Sequence, residues 1–375
     1  MADYLNGDYC EFVNDASASS FGWNFQSNAG IFLFLKYIKD AESIKIESKL
    51  QDIEIILSGG GKILAQAKSS QDYTVATNKK EKFKDALISL AKFSDQGDQL
   101  IYISNIPDTF DSAKNNFNNK IVPYSSCLKG IQAEIDQLFE STCNSIRAKI
   151  AKEKDAKRAS KAKQILKLVE EFDKTKLYIS VISPFWGDDQ NRYSEISNAI
   201  LSFLVDDLKL SNDDAIAIKQ KLLEHWQLKF QHNSSQPDKN EMKKISKEEF
   251  AWPVAVYLTK DGVPDIEDCL SFAPDQALTE EVNRLLSDPM MIFHERFEFS
   301  NKVIQDFTAF RKSQSNGTRE IEKLFVKNHG NNYCAEFKLD EDEEKTEYIA
   351  KAFIFKILIN HRNMAKIQAG IGVKV

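Results

Sequence analysis

The chain has 375 residues, 42% of them hydrophobic and 28% charged, with a formal net charge of −6. That is an ordinary globular composition, long enough for two domains with cores of their own, and its acidic balance does not mark a constitutive nucleic-acid binder. Fourteen glycines and eight prolines argue against long linkers, and no uncharged apolar run reaches the roughly 18 residues of a membrane span.

The polar, acidic opening at residues 1–14 lacks the basic-then-apolar order of a signal peptide, so a cytoplasmic protein without membrane contact is expected. The cysteines (Cys10, Cys127, Cys143, Cys269, Cys334) are scattered and form no C-x-x-C pair, so neither a disulfide framework nor a zinc knuckle is expected. His294-Glu295 lacks the second histidine of a zinc-protease helix.

Phe25, Ala29, Phe32, Leu33, Lys36 and Tyr37 follow helical spacing and predict a first helix with one largely apolar face. Ile44 to Glu47, Asp52 to Leu57 and Lys62 to Lys68 alternate apolar and polar, which predicts three strands in an antiparallel meander. Ser58-Gly59-Gly60-Gly61 is the turn between the last two. Phe83, Leu87, Leu90 and Ala91 predict a second helix, and Leu100 to Ser104 a buried strand closed by Asn105 and Pro107. Ile131 to Phe172 reads as helix with at least one break. From Arg147 to Lys167 this stretch holds nine Lys/Arg and two Asp/Glu, whereas Asp340 to Glu347 holds six acids and one lysine. Such a basic stripe suits phosphate, and equally a solvated helix face. After a strand at Leu177 to Ile182, helices are expected near Tyr193–Leu208, Asp213–Leu228, Lys247–Leu258, Thr279–Leu286 and Glu347–Asn360, with His361 at a helix end.

The fold class expected is therefore an α/β N-terminal core followed by a mainly α-helical C-terminal region. The domains expected are 1–185, with its core at about 20–110 and a basic helical connector at about 130–172, and 186–375.

Strand periodicity decides which residues share a face. Asp52 and Glu54 share one, and Gln66 and Lys68 share one. If the turn folds the two strands together with their apolar sets in one core, Asp52, Glu54, Gln66 and Lys68 cluster. Phosphodiester hydrolysis uses such a group. A carboxylate holds a hard cation, the cation polarises the phosphate and activates water, and an ammonium stabilises the growing charge. Asp52 would take the metal, Gln66 a ligand or orienting role, and Lys68 the nucleophile and the transition state. A backbone carbonyl between the two polar positions can complete the shell. Glu47 and Glu54 are candidate supporting acids. A salt-bridged surface hairpin would show the same alternation.

This order of elements resembles the restriction-endonuclease-like PD-(D/E)xK core, and more narrowly the Cap4-type dsDNA endonuclease domain of bacterial antiphage defence. The residues that carry the resemblance are Gly22-Trp23-Asn24-Phe25-Gln26, Glu47, Leu50-Gln51-Asp52-Ile53-Glu54 and Ala65-Gln66-Ala67-Lys68-Ser69. Phe83 to Leu90, Leu100 to Asn105 and, more loosely, Ile245 to Phe250 also match. The resemblance implies catalysis by Asp52, Gln66 and Lys68, with Gln26 shaping the site and Mg²⁺ or Mn²⁺ held by Asp52 and Gln66 as the cofactor. The substrate implied is double-stranded DNA. Gln66 stands where the commoner motif has an acid.

Gly59-Gly60-Gly61-Lys62 is not a P-loop, because a strand rather than a helix follows it. Phe185, Trp186, Trp226 and Trp252 are read as core anchors. The helical second half is read as an oligomerisation, partner-docking or regulatory region. By analogy with Lamassu-type systems, it would favour a homo-oligomer when active and docking on an SMC-like ATPase with an accessory subunit. The alternatives are a catalytically degenerate scaffold and an oligonucleotide-triggered nuclease.

Overall fold

The computed structural model describes residues 17–71, 79–107, 109–110, 117–185, 187–235, 244–259, 264–286, 296–312, 318–337 and 342–373. The expectations for residues 1–14, Cys10, Trp186 and His294 fall outside these residues. The chain forms two compact units. Unit 1 comprises Met1–Ala29, Leu50–Asp52 and Leu64–Tyr193, and unit 2 comprises Gly30–Lys49, Ile53–Ile63 and Ser194–Val375.

The first elements are α1 (Ser17–Tyr37), β1 (Ala41–Ile46), β2 (Ile53–Leu57), β3 (Lys62–Lys68), α2 (Lys79–Ala91), β4 (Gln99–Ser104) and β5 (Ile121–Pro123). They are followed by α3 (Lys129–Lys152), α4 (Ala156–Glu170), β6 (Leu177–Val181), α5 (Asp189–Arg192), α6 (Ser194–Ser202), α7 (Asn212–Ser234), β7 (Ile245–Ser246) and α8 (Lys247–Leu258). The strands of the described residues make a mixed seven-stranded sheet in the order β5-β6-β4-β3-β2-β1-β7.

In unit 1, β4 runs parallel to β6, with Leu100 opposite Leu177 and Ser104 opposite Val181, while β5 is antiparallel to β6. A parallel pair needs a long crossover, and α3 and α4 lie on the chain between β4 and β6. Strand β4 is buried from Leu100 to Ser104, as a near-continuous apolar run in a two-sided sheet should be. One core joins Leu64, Phe83, Leu87, Tyr102, Phe110, Ile135 and Ile179. Phe83 meets Tyr102 edge-on at 4.9 Å and Phe110 at 5.0 Å. The expected break in the long helical stretch falls between Lys152 and Ala156, where Asp155 caps α4.

In unit 2, β1 pairs antiparallel with β2, Ile44 facing Ile55, and its other edge takes the two residues of β7. The indole of Trp226 on α7 stacks on Phe250 of α8 at 4.1 Å and donates to the Phe250 carbonyl at 2.9 Å. Trp226, Trp252 and Phe185 are all buried, as expected of core anchors. The expected helix Tyr193–Leu208 is instead α6 followed by a π-helical turn, Phe203–Asp207. Among the described residues no helix is long and apolar enough to cross a membrane.

The helix Glu343–Gly370 continues past His361, which is therefore not a helix-end residue. Inside it a charge network is buried. Lys351 is 2% exposed and donates to Glu347 at 2.7 Å and to the Cys269 carbonyl at 2.8 Å. Glu347 also accepts from the Ser271 amide at 2.8 Å and the Ser271 hydroxyl at 2.6 Å. A β-carbon at Gly330 would lie 2.6 Å from Lys351 Cγ, so that position has no room for a side chain. Breaking one side of a buried ion pair strands the other charge. Lys351→Met should therefore lower unfolding stability by about 3–5 kcal/mol, and Lys351→Met with Glu347→Gln should cost less. Urea denaturation checks both, and a double variant weaker than the single would contradict the assignment.

Candidate active site

Asp52 stands one residue before β2, and its carboxylate is held against β3. Oδ2 accepts from the Gln66 side-chain amide and from the Ala67 backbone N–H at 2.9 Å. The turn that allows this return is tight. Gly60 donates to the Leu57 carbonyl at 2.8 Å, and Leu57 to the Gly61 carbonyl at 2.8 Å. Gly60 sits at φ +82, in the left-handed region that favours glycine.

The alternation of β3 places Leu64, Gln66 and Lys68 on one face. That face is not an open polar surface. Leu64 belongs to the unit 1 core, and Gln66 is only 5% exposed. The expectation of a polar face and an apolar face is corrected accordingly: both faces of β3 are covered, and Lys68, at the strand end, is half-buried.

Past β3, the Ser69 carbonyl accepts from Lys82 Nζ in the first turn of α2. Burial, and then the nearby Lys68 ammonium, hold Lys82 below the usual lysine range. Lys68 and Lys82 thus form a pair of cations beyond the Asp52–Gln66 contact. Sequence reading missed Lys82, because the helical pattern selects apolar positions. The density of lysines in Lys79-Lys80-Glu81-Lys82-Phe83-Lys84 was the available signal. Lys80 pairs with Glu134 at 3.1 Å and Lys84 with Glu81 at 2.8 Å. Lys82 has no carboxylate partner among the described residues.

The strand end is clamped by Asn105. Its side chain accepts from the Ser70 N–H at 2.8 Å, and donates to the Ser70 carbonyl at 2.8 Å and to the Phe185 carbonyl at 3.1 Å. Gln26 is half-buried on α1. It lies four residues, one helical turn, from Gly22, where a β-carbon would come within 3.9 Å of Ser69 Oγ. In unit 2, Glu54 is 4% exposed and pairs with Lys62 at 3.0 Å. Glu47, also of unit 2, follows β1 at φ 54.

Among the described residues no group of three or more His, Cys, Asp or Glu gathers in a metal-holding arrangement. The donors for a cation here are Asp52, the Gln66 amide oxygen after rotation of the amide, and the Ala67 carbonyl. In a strand, a residue's N–H and C=O leave by the same edge, so the Ala67 carbonyl shares the edge that faces Asp52. One carboxylate with neutral oxygens suits Mg²⁺, a hard ion that keeps several waters.

No protein-family model matches the chain, and no curated protein matches it. Among solved structures, it has a slight likeness to a Moraxella osloensis Cap4 SAVED/CARF-domain containing receptor, at 13% identity and a TM-score of 0.31. The likeness covers 64% of this chain and 50% of the receptor chain, so this chain spans about half of that one.

Asn105 is fully buried, and Asn105→Ala would leave the Ser70 amide, the Ser70 carbonyl and the Phe185 carbonyl without this partner. The expected cost is about 1–3 kcal/mol, read from the denaturation midpoint. A change within the roughly 0.5 kcal/mol of an ordinary surface substitution would show that the clamp is dispensable.

Proposed function

We propose that the chain is a metal-dependent endonuclease acting on double-stranded DNA, a Cap4-type, PD-(D/E)xK effector of bacterial antiphage defence. The observation that supports this reading is the junction at the end of β3. There the Asp52 carboxylate is fixed by Gln66 and Ala67, and the Lys68 and Lys82 ammonium groups follow.

Asp52, with oxygens of Gln66 and Ala67, would hold Mg²⁺ or Mn²⁺. When bound, the ion supplies a charge that polarises the scissile phosphate and makes a water acidic enough to attack. The protein's own groups do the positioning. Gln66 limits rotation of Asp52. Lys68 donates to a non-bridging phosphate oxygen and to the attacking water, and stabilises the charge that grows on phosphorus. Lys82 ties the backbone after Lys68 through the Ser69 carbonyl and adds positive potential. The attacking water forms the new P–O bond as the bond from phosphorus to the sugar oxygen breaks; the water's proton passes to solvent, and the leaving sugar oxygen takes a proton from solvent. Control by self-association, or by docking on an SMC-like ATPase with an accessory subunit, would fall to the helical second half.

A second reading is favoured by one observation. The Gln66 amide turns its N–H toward Asp52, so the motif's usual second acid is here a donor that occupies the carboxylate. A catalytically silent scaffold would be built the same way.

Plasmid DNA incubated with the native chain and Mg²⁺ or Mn²⁺, at concentrations that favour oligomers, separates the two. Nicking or linearisation is expected, with a loss of about 10²- to 10³-fold in Lys68→Ala, the scale of losing one charge-stabilising donor. Equal cutting by both chains removes Lys68 from the chemistry. No cutting with either metal favours the scaffold.

A further inference from the structure

Unit 1 carries an exposed basic arm that the site itself does not use. Helices α3 and α4 are joined by residues 153–155, and Asp155 caps α4 by accepting from Lys157 N at 2.8 Å and Arg158 N at 3.1 Å. Val169 is buried in the unit 1 core, and Ala162, Ile165 and Leu166 pack against it. At the tip and along the exposed part of the hairpin stand Lys152, Lys154, Lys157, Arg158, Lys161 and Lys163, all exposed.

None of these six has an ion-pair partner among the described residues. The neighbours that are paired flank the six in sequence: Arg147 meets Glu170 at 2.6 Å, and Lys167 meets Glu171 at 3.8 Å. With nine cations and two acids from Arg147 to Lys167, this stretch carries nine minus two, or +7, in a chain of net charge −6. A block of one sign leaves these cations without compensation in the free chain. Uncompensated like charges repel, and an anionic polymer removes that repulsion.

The arm also has a fixed relation to the site within unit 1. Near its start, α3 meets the first turn of α2 through Glu134 and Lys80, at 3.1 Å, and Lys80 is two residues from Lys82. From Glu134 to Lys152, α3 rises about 27 Å at 1.5 Å per residue. A duplex covers that length in about eight base pairs, at 3.4 Å per pair.

We infer that the α3–α4 hairpin grips the phosphate backbone of a DNA duplex within about one helical turn of the bond to be cut. The inference rests on the nuclease reading of the Asp52–Lys68 site for where the duplex lies. The grip reads phosphates rather than bases, so it is independent of sequence.

Binding of a 30-base-pair duplex, measured by fluorescence anisotropy in EDTA with the full chain, tests it across a salt series. The comparison variant is Lys157→Gln, Arg158→Gln, Lys161→Gln and Lys163→Gln together. These are exposed helix positions, and circular dichroism melting should be unchanged. The expected result is a fall of about 3–4 in the slope of log affinity against log salt, near 0.9 per lost phosphate contact. An unchanged slope overturns the proposal. So does a native chain that leaves the duplex unbound at low salt while binding single-stranded RNA or phosphatidylserine vesicles. Arm-dependent duplex binding by a chain that never cuts would keep the grip and sink the nuclease. Cutting with an unchanged slope would do the reverse.

Discussion

The Asp52 carboxylate is held from one edge of β3 by two donors, the Gln66 side chain and the Ala67 backbone. Hydrogen bonds to an ionised acceptor are the strong ones, and a bond to the main chain cannot rotate away as a side-chain pair can. The proposed chemistry at this end of the sheet depends on that contact. It decides that Asp52 belongs with β3 rather than pointing into solvent. It also sets where Lys68 lies relative to a carboxylate, since Lys68 is the next residue after Ala67. The backbone beyond is tied in turn by Lys82 at Ser69 and by Asn105 at Ser70.

Much of this was legible in the chain. The alternation of Lys62 to Lys68 gave β3 its bounds, and the three glycines gave the turn. Together they predicted that Asp52 and Gln66 would meet. The covered state of Gln66 had a signal too, because Leu64 occupies the same strand parity as Gln66 and Lys68, so that face was never wholly polar. Other features lacked one. The two residues of β7 are too few to show a period, and β5 contains Pro123, a residue that strand patterns reject. Lys82 lies on a helix whose pattern is defined by Phe83 and Leu87, so a cation beside them looks like an ordinary solvent-facing residue. The partner of Glu54 is Lys62, across the turn, and periodicity alone could not rank Glu54 against Asp52.

Charge is spent differently in the two units. Unit 2 buries a complete pair, Lys351 and Glu347, with Ser271 and the Cys269 carbonyl satisfying the remaining capacity. Such a network gives little net stability but is costly to break on one side. Unit 1 pairs some of its cations, among them Lys80 and Lys84, and leaves others without a carboxylate among the described residues. Lys68 and Lys82 stand together despite their repulsion, and the α3–α4 arm repeats that arrangement at larger scale. Clustered cations without carboxylates are costly in a free protein and favourable beside phosphates, which is the physical thread between the site and the arm.

On the proposed reading, Asp52 is the carboxylate of a divalent-metal site. Titration of the full chain with Mn²⁺, followed by electron paramagnetic resonance of the free ion, tests this without requiring turnover. A Mn²⁺ site is expected in the native chain, weakened at least about tenfold in Asp52→Asn, since changes even one shell out cost about 10- to 100-fold. Identical titrations of the two proteins would contradict it, and would leave Asp52 as a structural acid that pins β3.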